Sequence, residues 1–311
     1  MPLHPHAIEA IRRAGDLPAH LPPAELRQVY EAQRIPLVAD ALPIASCDEL
    51  TIPSRGGPLP LRIYRPLAQS QGAPLMVFFH GGGWMVGSLH SYDAAVRRLT
   101  AKTGCVVVSV GYRLAPEAVF PAAVEDCWDA FTWSAEHAAE LGADNTKMVV
   151  CGDSAGGNLA AAIAQMGLDS CKQHIALQVL IYPSTDMSRP WPSFERNGKG
   201  NMLTAAAVEI FVNQYAPDPA DRLDPRASPM RRPDLSGLPR ALIVSAEFDP
   251  LVDDNQAYAE CLERAGVPVR YVCFPGMIHP FFTLSRVISD AEKLEDLIAV
   301  AVGEIADRVI P

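Results

Sequence analysis

Met148-Val149-Val150-Cys151-Gly152-Asp153-Ser154-Ala155-Gly156-Gly157-Asn158 is the stretch that most restricts the fold of this chain. Met148 to Cys151 reads as a buried strand, and Asn158 to Ala164 reads as a helix. Between them a corner of small residues carries Ser154, with Gly152 and Gly156 two positions to either side. A G-x-S-x-G corner is so sharp that side chains at its flanking positions would collide, which calls for glycine there. It pushes the serine oxygen out of the top of the sheet and aims a helix N-terminus at any anion formed beside it. A plain glycine-rich strand–helix turn has the same letters, so the rest of the chain decides between the two.

The flanking pattern is one of alternation. Leu75 to Phe79, Cys105 to Val110, Leu177 to Tyr182, Ala241 to Ala246 and Val269 to Phe274 are further apolar strands. Helical stretches run over Tyr92 to Lys102, Ala122 to His137, Asp253 to Ala265 and about Ser289 to Val309. Leu50 to Ile52 and Leu61 to Tyr64, around the turn at Arg55 to Pro58, predict an antiparallel edge pair. Strands apolar on both faces and alternating with helices predict an α/β fold with a mainly parallel sheet and helices on both faces. Ligands of such folds bind beyond the carboxyl ends of the strands.

Two segments break the alternation. Residues 1–45 are helix-like and punctuated by Pro18, Pro22 and Pro23. Residues 184–225 hold Trp191, Phe194, Phe211 and Tyr215 and one helical stretch, Thr204 to Tyr215, and an insertion of this length usually has a function. The expected organisation is therefore an N-terminal appendage (1–45), a first core part (46–183), an insertion (184–225) and a second core part (226–311).

His80-Gly81-Gly82-Gly83-Trp84 follows the Leu75 strand directly. Consecutive glycines are costly in unfolded-state entropy, and a plain turn has little need of them. A loop whose amides must approach a reacting oxygen does need them, and acyl transfer requires such donors for its oxyanion. There is no G-K-[ST] and no G-x-G-x-x-G spacing to suggest a phosphate cradle.

Together with Gly152 to Gly157, Tyr112-Arg113-Leu114-Ala115-Pro116-Glu117 and Phe120-Pro121, this loop resembles the hormone-sensitive-lipase family, the bacterial family IV esterases of the α/β-hydrolase superfamily. The resemblance covers about residues 46–311. It implies an α/β-hydrolase fold with an eight-stranded sheet, a helical cap made from the two appendages, and hydrolysis of carboxylic esters. His80 resembles a residue that orients the glycine loop.

The resemblance implies a triad in the order Ser, Asp, His. Asp249, in Glu247-Phe248-Asp249-Pro250-Leu251-Val252-Asp253, is similar to the family's triad acid; Asp253 and Asp254 are its rivals, and also suit the N-terminus of the next helix. His279, in Pro275-Gly276-Met277-Ile278-His279-Pro280, resembles the family's histidine loop, with Pro280 where glycine is common. Ser154 would attack the ester carbonyl, His279 would take and return its proton, and Asp249 would hold the imidazole. By the resemblance, the amides of Gly82, Gly83 and Ala155 form the oxyanion hole. No metal or organic cofactor is required by this chemistry.

Trp84, Met202, Leu203 and Phe211, with Trp191, Phe194 and Tyr215, are candidates for an acyl pocket, and packing of cap on core explains any one of them equally well. Glu125, Asp126 and Asp129 read as a solvated helix face rather than a metal cluster. The 36 acidic against 26 basic residues leave a formal net charge of −10, which argues against nucleic-acid or anionic-membrane partners. An odd set of seven cysteines without C-x-x-C spacing, and a start without a signal-peptide pattern, predict free thiols and a cytoplasmic protein.

The expected substrate is a small-molecule ester with a short to medium acyl chain. An amidase or deacetylase, a long-chain lipase and a non-catalytic small-molecule receptor share the scaffold, and the last is disfavoured by the intact Ser154, Asp249 and His279. By resemblance, a homodimer through the edge strand near Tyr271 is an option.

Overall fold

The structure, a computed structural model, describes residues 2–15, 17–68, 72–170 and 174–306. Eight strands form one sheet: β1 (Ser46–Ser54), β2 (Gly57–Arg65), β3 (Ala73–Phe79), β4 (Val106–Val110), β5 (Ala143–Asp153), β6 (Ile175–Ile181), β7 (Ala241–Phe248) and β8 (Val269–Ile278). Their spatial order is β1-β2-β4-β3-β5-β6-β7-β8. The β1–β2 and β2–β4 pairs are antiparallel, and every other pair is parallel. The edge hairpin and the parallel sheet expected from the sequence are both present.

Strands β3 and β4 are buried along their whole length, because helices cover both faces. Helices α1 (Pro5–Ala14) and α2 (Pro23–Arg34) come first, then α3 (Asp93–Thr103), α4 (Ala122–Glu136), α5 (Ala138–Leu141) and α6 (Ala155–Ser170). Helices α7 (Pro192–Asn197), α8 (Ala205–Tyr215), α9 (Val252–Arg264) and α10 (Asp290–Ala306) complete the set. The expected last three helical residues, to Val309, lie outside the described residues. Buried residues of α4, α6 and α9 form one core layer, and those of α1, α3 and α10 form the other. The N-terminal helices thus part company. Ala7, Ala10 and Ala14 of α1 join the α3–α10 layer, whereas Leu26 and Tyr30 of α2 join the opposite layer with Trp84.

Strand β8 runs further than its apolar core suggests. Its pairing with β7 shifts register between Ala246 and Phe248 and then resumes as Phe248↔Ile278. The amide of Gly276 donates to Glu247 Oε2 at 2.7 Å. Residues 275–278, read from the sequence as loop, are therefore strand, and they deliver His279 at the strand's very end.

One correction concerns α4. Asp126 is fully buried rather than solvated. It accepts the Arg113 amide at 2.9 Å and its Nε at 2.9 Å, while Asp129 pairs with Arg55 at 2.9 Å. The helix face is acidic because it answers arginines from neighbouring loops, which helical spacing alone does not reveal. Six cysteines are described and all are free, and Cys171 lies outside the described residues. Among the described residues no helix is long and apolar enough to cross a membrane.

Candidate active site

The carboxyl ends of β3, β5, β7 and β8 converge. Ser154 stands between β5 and α6, Asp249 directly follows β7, and His279 directly follows β8. His279 Nε2 lies 2.9 Å from Ser154 Oγ, and its Nδ1 lies 2.8 Å from Asp249 Oδ2. Asp249 is wholly buried, and its other carboxylate oxygen accepts the Leu251 amide at 2.8 Å. The rivals go elsewhere. Asp253 pairs with Arg196 at 2.6 Å, and Asp254 accepts the Thr185 amide at 2.7 Å.

The corner holding Ser154 is built as its glycines suggest. A Cβ on Gly156 would overlap the Phe79 carbonyl oxygen, and one on Gly152 would overlap the Gly156 carbonyl. Ser154 itself has φ +56°, in the left-handed region that costs roughly 1–2 kcal/mol for a residue with a side chain. Its amide donates to the Ile181 carbonyl at 2.8 Å. Asn158 locks the first turn of α6 by donating to the carbonyls of Ser184 and Ala227, each at 2.8 Å.

Ala155 opens α6, so its amide has no carbonyl one turn earlier in the helix to bond. The amides of Gly82 and Gly83 have no partner among the described residues. Gly82 and Gly83 adopt φ +121° and +57°. A Cβ on Gly82 would overlap the Val86 carbonyl, and one on Gly83 would overlap the Phe211 ring. This combination of positive φ and no space is why the loop is glycine.

What holds that loop in place was not evident from the sequence. The Gly81 amide donates to Asp153 Oδ1 at 2.9 Å, and the Tyr92 hydroxyl donates to Asp153 Oδ2 at 3.0 Å. Tyr30 of α2 in turn hydrogen-bonds Tyr92. Burial raises the Asp153 carboxyl to about 6, against the opposing pull of Tyr92, the His279 charge and the Gly81 amide. His80 stacks on Tyr112 with ring centroids 4.3 Å apart, and burial pushes its imidazole down to about 4. A neutral His80 under the loop fits a positioning role. Asp153 carries no assigned role within the corner motif; only its contact with Gly81, in the loop after β3, reveals its part.

A cavity of about 70 Å³ opens above Ser154. Trp84, Met202, Leu203 and Phe211, all named from the sequence, line it, together with Tyr30, Val208 and Leu251. Three other aromatic candidates do not. Trp191 and Phe194 face a separate cavity. Tyr215 stacks behind Trp84, with ring centroids 4.5 Å apart and planes at 3°. Helix α2 is tied over the site by Arg27, which donates to the carbonyls of Met85 at 2.9 Å and Ala115 at 3.0 Å and pairs with Glu117.

Among the described residues, four non-glycine residues have positive φ: Trp84, Ser154, Tyr182 and Met202. Three line the cavity, and Tyr182 packs its ring 4.4 Å from that of His279. Such conformations gather where a site over-determines its geometry.

Comparison with known proteins points the same way. A family model described as the α/β-hydrolase fold matches residues 76–283. An ethyl acetate hydrolase of Pseudomonas putida is 42% identical over 293 residues, covering 92% of this chain and 92% of that protein. Carboxylesterase NlhH of Mycobacterium tuberculosis is 39% identical over 258 residues, covering 82% and 81%. A hyperthermophilic esterase from the archaeon Pyrobaculum calidifontis has a solved structure that superposes with a TM-score of 0.92 at 38% identity, covering 98% of this chain and 99% of that one.

Proposed function

This chain belongs to the α/β-hydrolase fold family and is a carboxylic ester hydrolase, and from that premise we propose that it works through a Ser154–His279–Asp249 triad on short- to medium-chain acyl esters. The observation that carries the reading is the single imidazole joining Ser154 Oγ at 2.9 Å to a buried Asp249 at 2.8 Å.

His279 removes the Ser154 proton as the oxygen attacks the ester carbonyl, and Asp249 holds the imidazole tautomer and stabilises the imidazolium. The oxyanion forms against the amides of Gly82, Gly83 and Ala155, which are fixed before the substrate arrives and need no reorganisation. His279 then protonates the departing alkoxide. Water, activated by the same imidazole, attacks the acyl-enzyme and releases the acid.

The short end of the acyl range is supported by the cavity. At roughly 10–15 Å³ per water-sized atom, its 70 Å³ takes on the order of five to seven atoms. The 42% identity to a protein named for ethyl acetate hydrolysis supports it too. We read α2 with the 184–225 segment as the cap over this cavity. The free thiols support a reducing, cytoplasmic setting, and the exposed edge of β8 near Tyr271 supports a homodimer, which the mass in solution tests.

The decisive experiment is hydrolysis of a p-nitrophenyl ester series from acetate upward, with Ser154→Ala as control. The expected result is activity concentrated at short chains and lost in the variant. Undiminished hydrolysis by Ser154→Ala would refute the triad.

A further inference from the structure

The wall of the cavity above Ser154 includes a guanidinium. Arg34, the last residue of α2, is buried there and donates from Nη1 to Met202 Sδ at 3.1 Å. A thioether is a weak acceptor, and a buried charge is costly unless strong hydrogen bonds offset its loss of water. A wall that meets only hydrocarbon would be better served at this position by leucine or methionine.

Trp84 adds a second donor. It lines the same cavity, and its indole Nε1 is buried with no hydrogen-bond partner among the described residues. The carboxylate of the wall is already engaged. Asp153 accepts the Gly81 amide at 2.9 Å and the Tyr92 hydroxyl at 3.0 Å. The wall therefore offers N–H groups to an incoming molecule and keeps its strongest acceptor occupied.

This balance narrows what the cavity takes. An ammonium group meets the like charge of Arg34, and a carboxylate meets that of Asp153 on the same wall. A neutral oxygen meets neither obstacle. It accepts from Arg34 better than sulfur does, and only the N–H···S contact to Met202 has to give way. Room for about five to seven water-sized atoms keeps that oxygen within a few bonds of the ester carbonyl. Resting on the serine-esterase reading above, we propose that Arg34 is a specificity-determining residue and that the preferred acyl groups are short ones carrying a neutral acceptor oxygen, an ether or a ketone.

The test compares p-nitrophenyl methoxyacetate with p-nitrophenyl butyrate, whose acyl chains differ only by an ether oxygen in place of a methylene. The ratio of their kcat/KM values is divided by the ratio of their hydroxide-catalysed rates, which removes intrinsic reactivity. Wild type is expected to show an excess of about tenfold for the methoxyacetate, the worth of one hydrogen bond from a charged donor. Arg34→Met should bring the excess close to one, and Arg34→Lys should keep part of it. Met202→Leu, which deletes the competing sulfur, should raise it. A wild-type excess near one overturns the assignment, as does an excess that survives Arg34→Met or fails to rise in Met202→Leu. Binding separates this inference from the mechanism. In Ser154→Ala, calorimetry should find the methoxyacetate bound several-fold more tightly than the butyrate. Equal affinities refute the role of Arg34 even where Ser154-dependent hydrolysis holds, whereas persistent hydrolysis by Ser154→Ala refutes the serine reading itself.

Discussion

The Gly81 amide and the Asp153 carboxylate, 72 positions apart in the chain, meet at 2.9 Å and join the oxyanion loop to the nucleophile corner. One side chain therefore fixes the distance between the proposed nucleophile, Ser154, and the amides proposed to receive the resulting charge. Burial sets the titration of this carboxylate near 6.

Asp153 should consequently leave a mark on the pH profile. Lowering pH through about 6 neutralises it and weakens its hold on the Gly81 amide, a loss that adds to any loss of the general base. The acid limb of log kcat against pH should be steeper than a slope of one. Asp153→Asn should restore a slope of one with a plateau lowered by about tenfold or more. Identical slopes in both proteins would show that Asp153 does not titrate in the working range.

Gly82 and Gly83 should respond differently to alanine. At Gly83 the obstacle is the Phe211 side chain, whereas at Gly82 it is the Val86 carbonyl. Gly83→Ala is expected to lower kcat by roughly 10²-fold or more, with part of the loss recovered in Gly83→Ala/Phe211→Leu. Gly82→Ala should lose as much and gain nothing from Phe211→Leu. Steady-state kinetics on p-nitrophenyl acetate provides the readout, and equal rescue at both positions would contradict the steric account.

On the proposed function, Phe211 limits the acyl group. Its ring is nearly buried and lines the 70 Å³ cavity. Phe211→Leu should shift the preferred p-nitrophenyl ester toward longer chains, raising the octanoate-to-acetate ratio of kcat/KM by about tenfold. An unmoved chain-length profile would assign acyl selection to other walls.

Asp254 should govern stability rather than turnover. It is wholly buried, accepts Thr185 and Asp186 amides, and burial raises its carboxyl to about 7. Because the folded value lies above the unfolded one of about 3.9, its stabilising contribution is full below that unfolded value. The contribution is lost as pH rises through about 7, with an upper bound of about 4 kcal/mol. The Tm should fall between pH 5 and 8, windows set by that titration. Asp254→Asn, with the Thr185 hydroxyl reversed to accept, should flatten the decline. A wild-type Tm independent of pH across this range would refute it.

The legible parts of this chain were those written locally. Strands buried on both faces announce themselves as apolar runs, and Ser154, Asp249 and His279 each follow such a run, so their meeting is a consequence of parallel strands ending at one edge. The obscure parts depend on partners distant in sequence. Asp126 looks solvated until Arg113 is seen beside it. The continuation of β8 to Ile278 depends on a register shift in β7. Tyr92 reads as the start of a helix and gives no hint that its hydroxyl holds Asp153. Aromatic composition marked the 184–225 segment, but it could not separate Phe211, over Ser154, from Trp191, beyond α8.

Trp84, Ser154, Tyr182 and Met202 come from four different segments, yet among the described residues all four left-handed side-chain-bearing residues border one imidazole or one small cavity. Dihedral angles alone therefore act as a compass in this molecule. The strain is not free to be engineered away: Met202→Gly relieves about 1 kcal/mol of backbone strain but removes a buried side chain, which costs about 2–5 kcal/mol. The same substitution loosens a wall of the substrate cavity, so backbone comfort and selectivity pull in opposite directions at that one position.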